Sequence, residues 1–183
     1  MKKLVLVGAA FLTSIALVAC GSSNSTTSKS SQTSKTSTVK VSKPKSQEFR
    51  FSKNVAEIHD VKIEITSQKV IPAGEGINSG EKPLLAFWYK VTNKTNKEID
   101  PTSAWLAVFE AYQDTSKSQE NKLEVGSLPD EKYLKTQTEN IKQNATAENA
   151  VSYELDDTTT PVILQAHQGI DGKKIGEQKY EIK

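Results

Sequence analysis

Residues 84–92 read Leu84-Leu85-Ala86-Phe87-Trp88-Tyr89-Lys90-Val91-Thr92, the most apolar run in the part of the chain that can fold. At period two, Leu85, Phe87, Tyr89 and Val91 share one face and Leu84, Ala86 and Trp88 the other. A strand that is apolar on both sides must be covered on both sides, so this segment predicts the centre of a sheet. Residues 104–113 (AWLAVFEAYQ) are again apolar on both faces and read as a second central strand.

The flanking segments follow the same period. Val61, Ile63 and Ile65 alternate with Lys62 and Glu64, the pattern of a half-buried strand. Val70 has the opposite parity, so a continuation through 69–71 requires a bulge within 66–68. Phe49 and Phe51 suit a short first strand. Val151, Tyr153 and Leu155 point one way in 150–155, and 162–166 is the next strand. Asp171-Gly172 signals a hairpin into a last strand carrying Tyr180 and Ile182. Between these lie the loop 73–83 (AGEGINSGEKP) and the stretch 114–149, where Pro129 and the acids after it predict one short helix over 129–134. About seven strands at turn-punctuated intervals predict an all-β, immunoglobulin-like antiparallel β-sandwich.

Upstream, Lys2 and Lys3 precede an apolar run, 4–19, that is shorter than the roughly 20 residues a spanning helix needs. It ends Leu17-Val18-Ala19-Cys20-Gly21, with the chain's only cysteine at the junction, and resembles a bacterial lipobox. That resemblance implies cleavage between Ala19 and Cys20, a diacylglyceryl group on the Cys20 sulfur, and attachment to the outer face of the cell membrane. Two acyl chains anchor stably where one is marginal. Residues 1–19 are thus expected to be a signal peptide, 20–47 a lipidated cysteine and tether, and 48–183 the folded domain.

The tether (GSSNSTTSKSSQTSKTSTVKVSKPKSQ) has almost nothing apolar to bury and is expected to stay disordered. As a flexible coil it has an end-to-end distance of roughly 30 Å; fully extended it reaches about 90 Å. Removing Lys2 and Lys3 takes the 24 Lys and Arg to 22, equal to the 22 Asp and Glu. Five lysines and no acids fall in 21–47, so the tether is basic and the domain mildly acidic. The basic residues carry no interleaved aromatics, which argues against nucleic-acid binding. Without Cys20 no disulfide can form, and the domain must be held by its core. Three Asn-x-Ser/Thr sequons, at Asn24, Asn93 and Asn144, read as tether and turn residues beside a bacterial leader.

The run from FWYKVTNKTNKEIDPTSAWLAVFEAYQD to NIKQNATAENAVSYELDDTTTPVILQA, within about 60–167, is similar to the domain of unknown function 5067 family of Gram-positive lipoproteins. The resemblance rests on Val91-Thr92-Asn93, on Val108-Phe109 with Gln113-Asp114, and on Ser152-Tyr153-Glu154-Leu155 followed by Thr160-Pro161-Val162. The sequence departs from the family where a Pro-Gly turn is usual, having Lys142-Gln143-Asn144. The resemblance implies an immunoglobulin-like sandwich and brings no catalytic residues.

Chemistry-bearing patterns are sparse. Gly74, Gly76 and Gly80 have neither dinucleotide nor Walker spacing. His59 and His167 lack a zinc-site spacing, His59-Asp60 could join a serine only by chance, and no G-x-S-x-G elbow occurs. Asp156, Asp157 and Asp171 could gather calcium at one end of the sandwich, but a solvated turn is the better reading. Trp88 and Trp105 are expected in the core, with an exposed glycan or lipid platform as the other reading. No catalytic residue, metal or cofactor is assigned.

The function that follows is a membrane-anchored, non-enzymatic lipoprotein binding an envelope protein or wall polymer, with its oligomeric state open. The alternatives are a small-ligand carrier for a transporter, a hydrolase built on one of the histidines, or release of the leader segment 12–19 as a pheromone-like peptide.

Overall fold

The computed structural model describes residues 49–182, so the expectations for the leader, the Ala19/Cys20 junction and the tether lie outside the described residues. Nine antiparallel strands form two sheets. In chain order they are β1 (Arg50–Ser52), β2 (Val55–Glu57), β3 (Val61–Ile71), β4 (Leu84–Asn93), β5 (Phe109–Gln113), β6 (Asn121–Lys122), β7 (Thr146–Glu154), β8 (Val162–His167) and β9 (Lys174–Tyr180). One sheet runs β1-β2-β3-β4-β7, the other β6-β5-β8-β9. The succession β3-β4-β7 facing β6-β5-β8-β9 matches the A-B-E and C′-C-F-G order of an immunoglobulin-like sandwich. The seven expected strands become nine because β2 and β6 carry too few residues to show a period. The hairpin β1–β2 adds a margin to the first sheet. Its two-residue loop, Lys53 and Asn54, holds φ at 51° and 63°, the left-handed pair that matches strand twist.

The bulge falls where parity demands it: β3 and β4 pair continuously except for a shift between Ile65 and Ser67. Inward residues of both sheets meet in one core, with Phe87, Tyr89 and Val91 of β4 facing Phe109, Ala111, Leu164 and Tyr180. Trp105 lies among Phe87, Tyr89 and Phe109, its rings centred 5.7, 4.4 and 4.5 Å from theirs.

Segment 104–113 departs from the strand reading. Its first half belongs to a helix, α1 (Pro101–Val108), and only Phe109–Gln113 is strand. Asp100 caps the helix through Ser103 N–H at 2.8 Å, and Pro101 follows where a missing N–H costs nothing. The helix buries Ala104, Trp105 and Val108 and turns Leu106 outward. Phe109 is already extended and donates its N–H to Trp105 O, so helix passes into strand without a loop.

The stretch 114–145, which carries β6, is a strap between β5 and β7. Leu123 N–H donates to Ala111 O on the second sheet, then Val125 bridges Tyr153 and Gly126 N–H donates to Ser152 O on the first. The chain next crosses the outer face of the first sheet, where Ser127 O accepts from Ser152 Oγ and Asp130 Oδ2 from the Trp88 indole at 3.0 Å. The short helix expected over 129–134 is a single 3₁₀ turn, Glu131–Tyr133, capped by Asp130. This strap buries Leu84, Ala86 and Ala150, the second apolar face of the central strands.

Both margins of the sandwich are therefore sewn shut. The strap closes the β5/β7 side. On the other side, Asn54 bonds to Gln178 and Tyr180, and Gly176 of β9 lies against the backbone of Phe51. Closing edges in this way removes the unpaired strand backbone that templates aggregation.

Candidate binding face

The two sheets differ on their outer sides. The strap crosses the outer side of the β3-β4-β7 sheet, whereas among the described residues the outward side chains of β5 and β8 make a single hydrogen bond to the strap, from Lys122 Nζ to Glu110. Alternation puts Phe109, Ala111, Gln113, Val162, Leu164 and Ala166 into the core and leaves Glu110, Tyr112, Ile163, Gln165 and His167 outside. Register places Glu110 opposite Gln165 and Tyr112 opposite Ile163, while Gln165 and Ile163 face Glu177 and Lys179 of β9. The result is a half-buried surface with an apolar centre and a charged border.

A shallow groove of about 170 Å³ opens between Tyr112, Ile163, Gln165 and Asn121. Asn121 Oδ1 is buried there without a hydrogen-bond partner among the described residues. Glu110 organises the charges: it accepts from Lys122 Nζ and from Tyr112 Oη, the latter at 2.8 Å. Lys122 first, and then Tyr112, hold the Glu110 carboxyl below its ordinary range. Burial, reinforced by that carboxylate, pushes the Tyr112 phenol up to about 12, so it remains a neutral donor. A second groove, about 330 Å³, lies between α1 and the β8–β9 hairpin, lined by Leu106, Glu110, His167 and Ile170.

The residues singled out by the sequence are scattered. His59 is exposed, with Nδ1 2.6 Å from Asp60 Oδ1, and Lys97 takes the other carboxylate oxygen at 2.7 Å. Lys97, and next His59, hold the Asp60 carboxyl below its usual range. No serine bonds to either histidine among the described residues. His167 lies beside Glu110 on the other sheet, in a groove lined by neither His59 nor Asp60.

The three aspartates do not converge. Asp156 and Asp157 precede β8 and Asp171 follows it, and a strand of six residues separates the two ends by about 20 Å. Asp157 is also engaged within its own turn, accepting from Thr159 and Thr160 N–H and from both hydroxyls. Those donors, Thr160 N–H foremost, bring its carboxyl down to about 2. The aspartates thus belong to two separate turns rather than to one shared calcium site.

Trp105 is wholly buried and Trp88 is half-covered by the strap, so neither forms an open platform. The glycine-rich loop is fastened by Asn78, whose amide donates to Pro72 O and Lys82 O and whose Oδ1 accepts from Gly80 N–H. Asn93 is not a simple turn residue: it is buried and donates to Lys97 O and Ile141 O at 2.9 Å each. Gln113 clamps the β7–β8 turn, accepting from Asp156 N–H and donating to Asp157 O and Thr160 O. Among the residues quoted for the family resemblance, Asn93 and Gln113 are thus polar fasteners of loops.

The open face is hidden in the sequence because 104–113 carries apolar residues at both parities. Splitting that segment at Phe109 shows β5 alternating apolar inward and polar outward. Asp100-Pro101, a cap followed by a proline at the first helical position, was the available signal.

No curated protein matches the chain significantly. Among solved structures, a candidate lipoprotein from Staphylococcus aureus superposes with a TM-score of 0.62 at 20% identity, over 73% of this chain and 91% of that one. A candidate lipoprotein from Bacillus subtilis gives 0.49 at 16% identity, over 72% of this chain and 39% of that one. A β-sandwich protein from Clostridium difficile gives 0.44 at 16% identity, over 77% and 100%. At these identities the Staphylococcus aureus structure shows a shared fold alone. In sequence, the family described as Domain of unknown function (DUF5067) matches residues 22–168, a longer span than the 60–167 over which the resemblance was visible. The chain, a closed immunoglobulin-like sandwich, belongs to the DUF5067 family.

Proposed function

We propose that the chain is a lipoprotein, cleaved between Ala19 and Cys20 and held by a diacylglyceryl group on Cys20 at the outer face of the cell membrane. Its sandwich acts without catalysis, binding an envelope partner, protein or wall polymer, through the open face of the β6-β5-β8-β9 sheet. The leader and its terminal cysteine support the anchorage. The observation that carries the binding role is the asymmetry of the two faces. One is covered by the chain's own strap, while the other presents Tyr112 and Ile163 within a ring of Glu110, Lys122, Glu177 and Lys179. An apolar centre inside a polar rim is the usual anatomy of a protein contact surface.

Cross-linking on intact cells, followed by recovery of the chain, tests this. Wild type should retain a partner that Ile163→Glu loses, with both proteins melting at the same temperature. Equal recovery from the two would overturn the assignment of the face. Detergent-phase partitioning tests the anchor separately: Cys20→Ala should move from the detergent to the aqueous phase or remain unprocessed.

A further inference from the structure

The described chain begins at one particular end of the sandwich. Arg50 pairs with Glu57, Glu57 with Lys62, and Lys62 with Thr92, so the start of β1 is level with the β2–β3 turn and the end of β4. The β8–β9 hairpin and α1 occupy this same end, since a groove of about 250 Å³ is lined jointly by Ile58 and Asp60, by Ile99 and Ala107, and by Gly169. The opposite end carries the Gln113 clamp, the β7–β8 turn and the last residues of β9.

The end where the chain enters also carries two of the large apolar side chains the fold leaves in water. Ile170, at the hairpin tip, is 81% exposed, and Leu106, on the outer side of α1, is 48% exposed. Both line the groove between helix and hairpin. Local bonds fix the shape of the tip. Gln168 N–H donates to Lys173 O and Gly172 N–H to Gly169 O, while Gly169 and Asp171 take left-handed conformations that hold Ile170 outward. Lys173, exposed, follows the tip at the depth of a headgroup layer if Ile170 enters the acyl region.

We propose that this end of the sandwich rests on the membrane that bears the anchor, with Ile170 and Leu106 dipping into the lipid interface. The inference rests on reading Cys20 as the anchor, because the bilayer is selected as occupant by the point where the chain emerges. Only residues 21–48 separate that cysteine from the described domain, and they join it at the apolar end. Docked so, the β6-β5-β8-β9 sheet stands roughly upright on the membrane and offers Tyr112 and Ile163 sideways, clear of the lipid.

The test uses the mature, lipidated chain in vesicles of phosphatidylcholine and phosphatidylglycerol. Ile170→Cys supplies the single free thiol, since the Cys20 sulfur is occupied, and carries an environment-sensitive fluorophore. Leu106→Cys is a second reporter at this end, and Thr158→Cys reports on the other. Quenching by spin-labelled acyl chains should be several-fold stronger at 170 and 106 than at 158. Equal or absent quenching on vesicles that carry the protein would overturn the orientation while leaving the anchor intact. A fluorescence change that follows protein density and ignores the lipid quencher would assign the patch to a second copy and also overturn it. Failure of the chain to float with vesicles would overturn the anchor reading, and this inference with it.

Discussion

The indole Nε1 of Trp105 donates to the Tyr153 hydroxyl at 2.8 Å, with both side chains buried in the core. One residue comes from α1 and the other from β7, so the bond ties the crossover helix to the edge of the covered sheet. It is the only hydrogen bond of the Tyr153 hydroxyl among the described residues. Trp105→Ala removes this bond and a large core volume and should cost about 3–5 kcal/mol. Tyr153→Phe should cost about 1–2 kcal/mol, because it orphans the indole donor. Combined with Trp105→Phe in a double-mutant cycle, it should yield a coupling of about 1 kcal/mol, read from denaturant midpoints at constant slope.

Gly176 sits at φ 155°, and a Cβ there would lie 2.6 Å from Phe51 O and 3.2 Å from Phe51 Cβ. Gly176→Ala should therefore push β1 off β9 at a cost of about 2–3 kcal/mol. Gly76, at φ 58° with nothing within 4 Å, provides the comparison. Gly76→Ala should cost only about 1 kcal/mol, from backbone conformation alone. Hydrogen exchange localises the difference: amides of β1 and β2 should lose protection in the first variant and keep it in the second.

Asp157 gives stability a defined acid dependence. Its carboxyl falls from an ordinary 3.8 to about 2 in the folded protein because Thr160 and Thr159 donate to it. A depressed folded value means that the unfolded chain takes up the proton first. The contribution is therefore complete above about pH 4 and disappears as pH falls through about 2. Asp157→Ala should melt below wild type at neutral pH, and the gap should close in the acid. A gap that stays constant with pH would show that the carboxylate charge plays no part.

Asn93 links the end of β4 to the loop after it and to the strap through Lys97 O and Ile141 O, and its Oδ1 accepts from Thr95 N–H at 2.9 Å. Asn93→Ala leaves the buried Ile141 carbonyl and the partly buried Lys97 carbonyl without this donor and should cost about 2–3 kcal/mol. Its buried side chain also excludes it as a modification acceptor in the folded state. Proteolysis of the variant should begin near 94–99 or 138–142, the segments that the amide holds together.

What could be read in advance was what repeats locally. Alternation located β3, β4, β7 and β8, the change of parity at Val70 located the bulge between Ile65 and Ser67, and Asp171-Gly172 located the last hairpin. Lys53-Asn54 is not legible as a turn, because neither residue announces a left-handed conformation as glycine does. The open face depends on β5 starting at Phe109, a boundary that the apolar run does not mark.

The sequence by itself determined the all-β class, the central place of 84–92 and the cysteine-free core. Each of these follows from composition or from a period that needs only neighbours along the chain. Tertiary structure decided the rest. An eight-residue helix is too short to be stable alone, so α1 exists because Trp105 has Tyr89, Phe109 and Tyr153 to pack and bond against. The strap has no period of its own, and its course is set by backbone and side-chain partners far away in sequence. By covering one sheet face and leaving the outward residues of β5 and β8 half-exposed, those long-range contacts make the two faces of the sandwich unlike.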